Sequence, residues 1–225
     1  VAGVANTWGY GAMTNHFGDM AANSKCIFII GANPAVANPV GGMKHTLQAK
    51  DRNNAKVIVA DPNFTKTAAH ADLYLRQRSG TDIALVYGLI HIILKNGWED
   101  KEFIENRTYG IDEIRKEAEH WTPEVTSDVT GVPVDRLVQA AHIMAHNKPG
   151  TVIWALGITQ HSVGTSNTRI LPIMQLILGN MGKPGGGCNI LRGHDNVQGA
   201  SDMANAPDSL PGHYAKNEAT WKYFA

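Results

Sequence analysis

The chain has 225 residues, of which 43% are hydrophobic and 18% are charged, and its 20 basic residues balance its 20 acidic ones. This length allows one large domain or two small ones, and the composition excludes a disordered or fibrous protein. The zero net charge argues against a sequence-independent nucleic-acid binder, which needs a basic surplus. Two cysteines, Cys26 and Cys188, are too few for a disulfide framework, and no CxxC pair is present for a zinc or cluster site.

The N-terminal region and the longest apolar run bear on targeting. The run at 83–94 is too short for a bilayer span and predicts a buried helix. The first residues lack the basic and apolar segments of a signal peptide. Because the chain begins with valine rather than methionine, we expect it to start inside a longer protein.

The predicted elements alternate between strands and helices. Short β-branched apolar runs predict buried strands at 26–31, 55–61, 72–76 and 151–156. Helical patterns cover 40–50, the apolar run with Thr81 or Asp82 as N-cap and Gly97 as its stop, 100–120, 133–147 with Pro133 just inside its start, and 167–178. The alternation predicts an α/β fold with a Rossmann-like, doubly wound and mostly parallel sheet.

The segment 179–203 differs in composition and periodicity from the rest of the chain. It carries seven glycines and almost no helical periodicity. We expect a long loop rich in backbone amides that can approach a ligand closely.

Common nucleotide and hydrolase motifs are missing from the sequence. It contains no GxGxxG fingerprint, no Walker A motif, no GxSxG elbow and no HExxH zinc site. Ordinary NAD, ATP and hydrolase functions therefore have little support.

Polar residues follow two of the predicted strands and open the long helix, where a doubly wound sheet binds its ligand. Gly31 and Asn33 follow the first strand and fit either a ligand contact or a plain turn. Asp61 follows the second strand, and its carboxylate could accept hydrogen bonds from ribose hydroxyls or a guanine edge, or cap the next turn. Gly80, Thr81 and Asp82 combine helix-start amides with a carboxylate, which suits a nucleotide, although N-capping also explains them.

Two further positions offer charged or hydrogen-bonding side chains. Gln160 and His161 follow the strand at 151–156, and His161 could act as acid, base or anion contact or be structural. Arg192 lies in the glycine-rich segment, where a guanidinium could bind a small carboxylate through two parallel hydrogen bonds or form a surface salt bridge.

Six motifs occur in an order that resembles a known family. They are GYGAMTNH, IIGANPAVANP, VIVADPNFTKTAAHAD, RSGTDIAL, WALGITQHSVG and GNMGKPGGGCNILRGHDNVQG. Together they resemble the catalytic subunit of molybdenum- or tungsten-dependent formate dehydrogenases, in the molybdopterin oxidoreductase superfamily. The resemblance runs nearly end to end, and the last motif is the most specific.

The resemblance implies a metal held by two molybdopterin guanine dinucleotides, with formate oxidised to carbon dioxide and electrons leaving through iron–sulfur clusters. Arg192 would orient formate. The residues expected to contact the cofactor are Gly31, Asn33, Asp61, Gly80, Thr81, Asp82, Leu156, Gly157, Gln160, His161, Gly193, His194 and Gln198. Val36 departs from an acidic residue of some relatives, and Asn63 and Lys66 replace arginines of the common DPRxTRTA form.

The resemblance also implies parts outside this chain. The metal ligand, a selenocysteine or cysteine, and the cysteines of a 4Fe-4S cluster would lie before Val1, so the isolated fragment would be inactive. A selenocysteine codon read as a stop would explain why the chain begins where it does. Residues 1–194 would form the dinucleotide-binding domain, and 195–225 the start of a neighbouring one. Expected partners are an iron–sulfur subunit and a membrane cytochrome subunit, at a periplasmic location. The alternatives are another bis-molybdopterin reductase, such as a nitrate reductase, and a non-catalytic nucleotide-binding module.

Overall fold

The computed structural model describes residues 2–194, 196–205 and 209–224. The chain separates into two compact units, Val1–Leu191 and Arg192–Ala225. Each unit is described by itself below. The expected boundary between 194 and 195 stays a prediction.

A five-stranded parallel sheet forms the centre of the first unit. Its strands are β1 (Cys26–Ile30), β2 (Lys56–Ala60), β3 (Leu73–Leu75), β4 (Gly150–Trp154) and β5 (Gly187–Ile190). Their order in the sheet is β3-β2-β1-β4-β5, with every pair parallel. The chain moves from β1 to β3 on one side and then crosses to β4 on the other. The chain therefore reverses its direction of winding between the neighbouring strands β1 and β4, which makes their carboxyl ends a topological switch point.

Helices cover both faces of this sheet. In the first unit they are α1 (Ala2–Trp8), α2 (Phe17–Asn23), α3 (Pro34–Ala37), α4 (Lys44–Asn53), α5 (Asp82–Lys95), α6 (Lys101–Arg107), α7 (Ile111–His120), α8 (Pro123–Thr130), α9 (Val134–His146), α10 (Leu156–Thr159) and α11 (Gly164–Ile177). The predicted α/β fold with a doubly wound parallel sheet is confirmed.

The apolar strand residues are buried on both sides, which explains why the strands read as continuous apolar runs. On one face Ile29 packs with Met20 of α2 and Ala49 of α4. On the other face Phe28 packs with residues of α5, α9 and α11, including the fully buried Leu89. Each fully buried aliphatic side chain of this kind contributes about 1.5–3 kcal/mol.

Three helix predictions needed correction. The pattern over 100–120 forms α6 and α7 rather than one helix, because Gly110 adopts φ 77° and Tyr109 between them is exposed. Pro133 is the N-cap of α9 rather than its first helical residue. The helix expected at 40–50 begins with a π-helical turn at Pro39–Met43 and continues as α4.

Thr81 is the N-cap of α5, one of the two predicted options. Its hydroxyl donates to the Arg78 carbonyl at 2.7 Å instead of accepting from the helix. The strand predicted at 151–156 ends at Trp154, and Leu156 begins α10.

The prediction of a single long loop over 179–203 was wrong. Residues Gly187–Ile190 form β5, which pairs with β4 at the sheet edge. These four residues begin on the last of three consecutive glycines and are too short a run for periodicity to detect. Within the second unit, Val197–Asp202 forms α12, capped by the Asn196 side chain accepting from the Gly199 amide.

The rest of the second unit is small. It contains a two-stranded antiparallel ribbon, β6 (Ser209–Leu210) and β7 (Tyr214–Ala215), and α13 (Glu218–Phe224). In both units, every helix within the described residues is too short or too polar to cross a bilayer.

Candidate nucleotide-binding site

The carboxyl ends of β1 and β4 meet through two glycines. The Gly157 amide donates to the Gly31 carbonyl at 3.1 Å. A Cβ at Gly157 would lie 2.5 Å from that oxygen, and a Cβ at Gly31 would lie 2.8 Å from the Gly157 carbonyl carbon. Gly31 also has φ 57°, which favours glycine. A side chain at either position would force the ends of β1 and β4 apart.

A cavity of about 330 Å³ opens beside this contact, at the carboxyl ends of β1, β2 and β3. It is lined by Gly31, Ala32, Asn33, Asp61, Pro62, Gln77, Ser79, Gly80, Asp82, Gly157 and His161. Seven of the predicted cofactor contacts are thus brought together, from the segments after the four strands β1 to β4 and from the start of α5. Their roles as contacts stay predictions.

Asp82 is the central charged group of this cavity. It is only 6% exposed, and burial raises the pKa of its carboxyl, with Asp61 adding to the increase and Gln77 and His161 opposing it. The Gln77 Nε2 lies 3.4 Å from Oδ1, and the His161 Nε2 lies 4.0 Å from Oδ2. His161 Nε2 also lies 2.8 Å from the Gly157 carbonyl oxygen. Asp82 is therefore a buried carboxylate with room for further hydrogen-bond donors.

Asp61 combines the two roles that its sequence position left open. Its Oδ1 accepts from the Asn63 amide at 2.8 Å, which is a turn-capping bond. The side chain still lines the cavity, and partial burial raises the pKa of its carboxyl. The Tyr74 hydroxyl donates to the Asp61 backbone carbonyl at 2.8 Å and ties this loop to β3.

Asn33 is held by a neighbouring threonine. Its Oδ1 accepts from the Thr67 hydroxyl at 2.7 Å, and that hydroxyl accepts from the Ala35 amide at 3.0 Å. Thr67 is fully buried. This chain of bonds orients Asn33 at the cavity wall, so a turn role and a lining role coexist here as well.

Gln77 and Ser79 line the cavity but were missed by the sequence analysis. Gln77 lies two residues after β3, so the rule that polar residues following parallel strands face a ligand would have found it. The arginines on either side, Arg76 and Arg78, are exposed. Arg78 donates to carbonyl oxygens at the end of α8.

The remaining predicted residues of the first unit lie outside the cavity lining. Thr81 caps α5, Leu156 is 46% exposed at the start of α10, and the Gln160 amide closes α10 on the Leu156 carbonyl. Of the departures from the family pattern, Val36 and Lys66 are exposed, whereas the Asn63 amide supports Asp61.

Four predicted residues belong to the second unit. Arg192 is its first residue, Gly193 and His194 follow, and Gln198 is in α12. Burial lowers the pKa of the Arg192 guanidinium and Asp202 opposes that effect, but the group stays cationic near neutral pH. The predicted role of these four residues stays a prediction.

A polar cavity beside the switch point of a doubly wound parallel sheet lies where α/β proteins of this class bind their ligands. The sequence pattern of the molybdopterin oxidoreductase family matches residues 5–220. The chain belongs to this family.

Named relatives make the comparison more specific. The chain is 40% identical to formate dehydrogenase H of Escherichia coli (strain K12) over 100% of this chain and 31% of that protein. It is also 40% identical to the F420-dependent formate dehydrogenase 1 subunit alpha of Methanococcus maripaludis, over 96% of this chain and 32% of that protein. The chain thus spans about a third of the length of these curated relatives.

A solved structure supports the same assignment. Acetylene hydratase from Pelobacter acetylenicus superposes with a TM-score of 0.73 and 30% identity, covering 80% of this chain and 24% of that one. Membership of this family implies a molybdopterin cofactor with molybdenum or tungsten.

Proposed function

We propose that this chain is the dinucleotide-binding part of a formate dehydrogenase catalytic subunit, and that the cavity at the ends of β1, β2 and β3 holds the guanosine end of a molybdopterin guanine dinucleotide. The observation that carries the proposal is the convergence of acceptors on one cavity. Asp61, Asp82 and Gln77 all line it, and the Gln77 Oε1 is buried without a partner among the described residues.

The chemistry of these groups suits guanine. A guanine edge presents a ring N–H and an amino group, which a carboxylate can accept as a pair. Buried acceptors are stable only when donors reach them, so a ligand with several donors relieves the cost of burying Asp82 and Gln77. The resident acceptors therefore fit the guanine form of the cofactor.

When bound, the molybdenum or tungsten group supplies the two-electron redox chemistry. The residues of this chain bind and orient. Arg192 receives the formate carboxylate through two parallel hydrogen bonds and neutralises its charge. The nucleotide cavity anchors the cofactor at its far end. The same proposal includes a metal ligand and an iron–sulfur cluster supplied by residues outside this chain. It also includes the partner subunits and the periplasmic location.

The full-length protein provides the test. Formate-dependent reduction of a viologen dye, together with bound molybdenum or tungsten, is the expected result. Arg192→Ala should lower kcat/KM for formate about 100-fold or more while the metal content stays unchanged, because one preorganised charged contact is lost. Arg136→Ala is the matched control, since Arg136 is exposed on α9 beside Asp135.

Three results would contradict parts of the proposal. Nitrate reduction in place of formate oxidation would favour a sister reductase. A protein free of metal would favour a non-catalytic module. Near-normal formate oxidation by the Arg192→Ala variant would remove the role of Arg192.

A further inference from the structure

Gln77 is a buried side chain whose amide oxygen has no hydrogen-bond partner among the described residues. It is 2% exposed, it lines the cavity, and its Oε1 is buried with no hydrogen-bond partner within the described ranges. A buried amide oxygen left without a donor costs about 1–3 kcal/mol. His91 Nε2, Glu99 Oε2 and Asn189 Oδ1 are also buried without a partner among the described residues, but of these four groups only Gln77 lines the cavity, where a ligand can supply the donor.

The orientation of the Gln77 amide follows from its neighbour. Nε2 faces Asp82 Oδ1 at 3.4 Å. The flipped amide would place two acceptors against each other, which is repulsive. The side chain therefore must point its nitrogen at Asp82 and leave Oε1 for another donor.

A second buried glutamine shows what complete pairing looks like in this chain. Gln175 is 3% exposed. Its Nε2 donates to the Gly150 carbonyl at 3.0 Å and the Gly187 carbonyl at 2.6 Å, and its Oε1 accepts from Asn180 Nδ2 at 2.9 Å. The chain can thus satisfy a buried glutamine fully when that residue has only a structural role.

We propose that Gln77 is a specificity-determining residue of the cavity: its Oε1 accepts a hydrogen bond from the guanine base, while its Nε2 holds the Asp82 carboxylate in position. This inference rests on the proposed function. It adds a direct base contact to which no motif in the sequence pointed, and it explains why a polar side chain is buried at this position.

Calorimetric titration of the 225-residue chain with GMP, and with AMP as the counter-ligand, tests the proposal. Wild type should bind GMP more tightly than AMP, because adenine lacks a ring N–H on that edge. Gln77→Leu should raise the Kd for GMP at least tenfold and reduce the preference over AMP. The unfolding temperature of the ligand-free variant should change little, because removal of the unpaired oxygen offsets loss of the 3.4 Å contact to Asp82. Gln77→Met, closer in length, provides a second variant if the leucine side chain does not fit.

Gln175→Leu is the matched control. It should lower the unfolding temperature while the folded protein, titrated at low temperature, keeps its GMP affinity. Equal GMP affinity in wild type and both Gln77 variants would overturn the role of Gln77 and leave the proposed cavity intact. The same holds if the Gln77 variants lose as much stability as Gln175→Leu, since Gln77 would then be structural. A wild-type chain that does not bind GMP, or that binds GMP and AMP equally, would overturn both proposals.

Discussion

The two buried glutamines at opposite ends of the central sheet are paired to different extents. At the amino ends of β4 and β5, Gln175 and Asn180 bond to each other and to backbone groups of Gly150 and Gly187, around a void of only about 10 Å³. At the carboxyl ends of β1, β2 and β3, Gln77 and Asp82 border a cavity of about 330 Å³ with one weak mutual bond. The comparison indicates that Gln175, at the amino ends of β4 and β5, stabilises the fold, whereas Gln77, at the carboxyl ends of β1, β2 and β3, is placed for a ligand.

The largest expected effect is on stability and comes from Gln175, at the amino ends of β4 and β5. Gln175→Leu removes the donor for two carbonyl oxygens and the acceptor for Asn180, so we expect a loss of about 3 kcal/mol or more in the free energy of unfolding. Denaturant-induced unfolding measures it. Gln175→Glu, which places a carboxylate oxygen against the same two carbonyl oxygens, should destabilise the chain at least as much. A change below about 0.5 kcal/mol, the range of ordinary surface substitutions, would show that the hydrogen bonds of Gln175 do not stabilise the fold.

The next effect concerns the switch point. Gly157→Ala places a methyl group 2.5 Å from the Gly31 carbonyl oxygen. We expect about 2 kcal/mol of destabilisation from this overlap and weaker GMP binding, because the cavity wall shifts. Leu156→Ala, at the exposed neighbouring position, is the control and should change stability little. An unchanged Gly157→Ala protein would mean that β1 and β4 can separate there at no cost.

The smallest effect is a pH dependence of the melting temperature that arises from Asp82. Burial raises the pKa of Asp82 above its ordinary value of 3.8 in the folded chain, so the ionised carboxylate disfavours folding near neutral pH. Asp82→Asn should therefore raise the melting temperature by a few degrees at pH 7. The gain should shrink as the pH falls through the raised pKa and disappear below about 3.8, where wild type is protonated in both states.

The matched control for this pH series is Asp135→Asn, because the Asp135 side chain is 80% exposed. Its effect on the melting temperature at pH 7 should be small. A stabilising effect of Asp82→Asn that persists at low pH would contradict ionisation as its cause.

Much of the fold followed from local patterns. The apolar runs around Ile29, Val59 and Ile153 predicted three central strands because strands buried on both faces show no alternation. The boundaries were less predictable, since Gly110 divides a continuous amphipathic pattern by its backbone conformation. The strand β5 was missed because its residues become a strand only by pairing with β4.

The candidate site shows the same division. Asp61 and Asp82 were predicted as cavity residues because polar groups after parallel strands share one edge. Leu156 and Gln160 follow β4 by the same rule, but α10 turns them away from the cavity lining.

The amino-acid sequence by itself determined the alternation of strands and helices and the two carboxylates that follow or begin them, because apolar spacing and strand-end polarity are local properties. Only the tertiary structure decided that Gly31 and Gly157 touch across the switch point, and that Gln77 is buried with an unpaired oxygen while Gln175 is fully paired. The physical reason is that hydrogen-bond satisfaction depends on groups far apart in the chain, which no local pattern records.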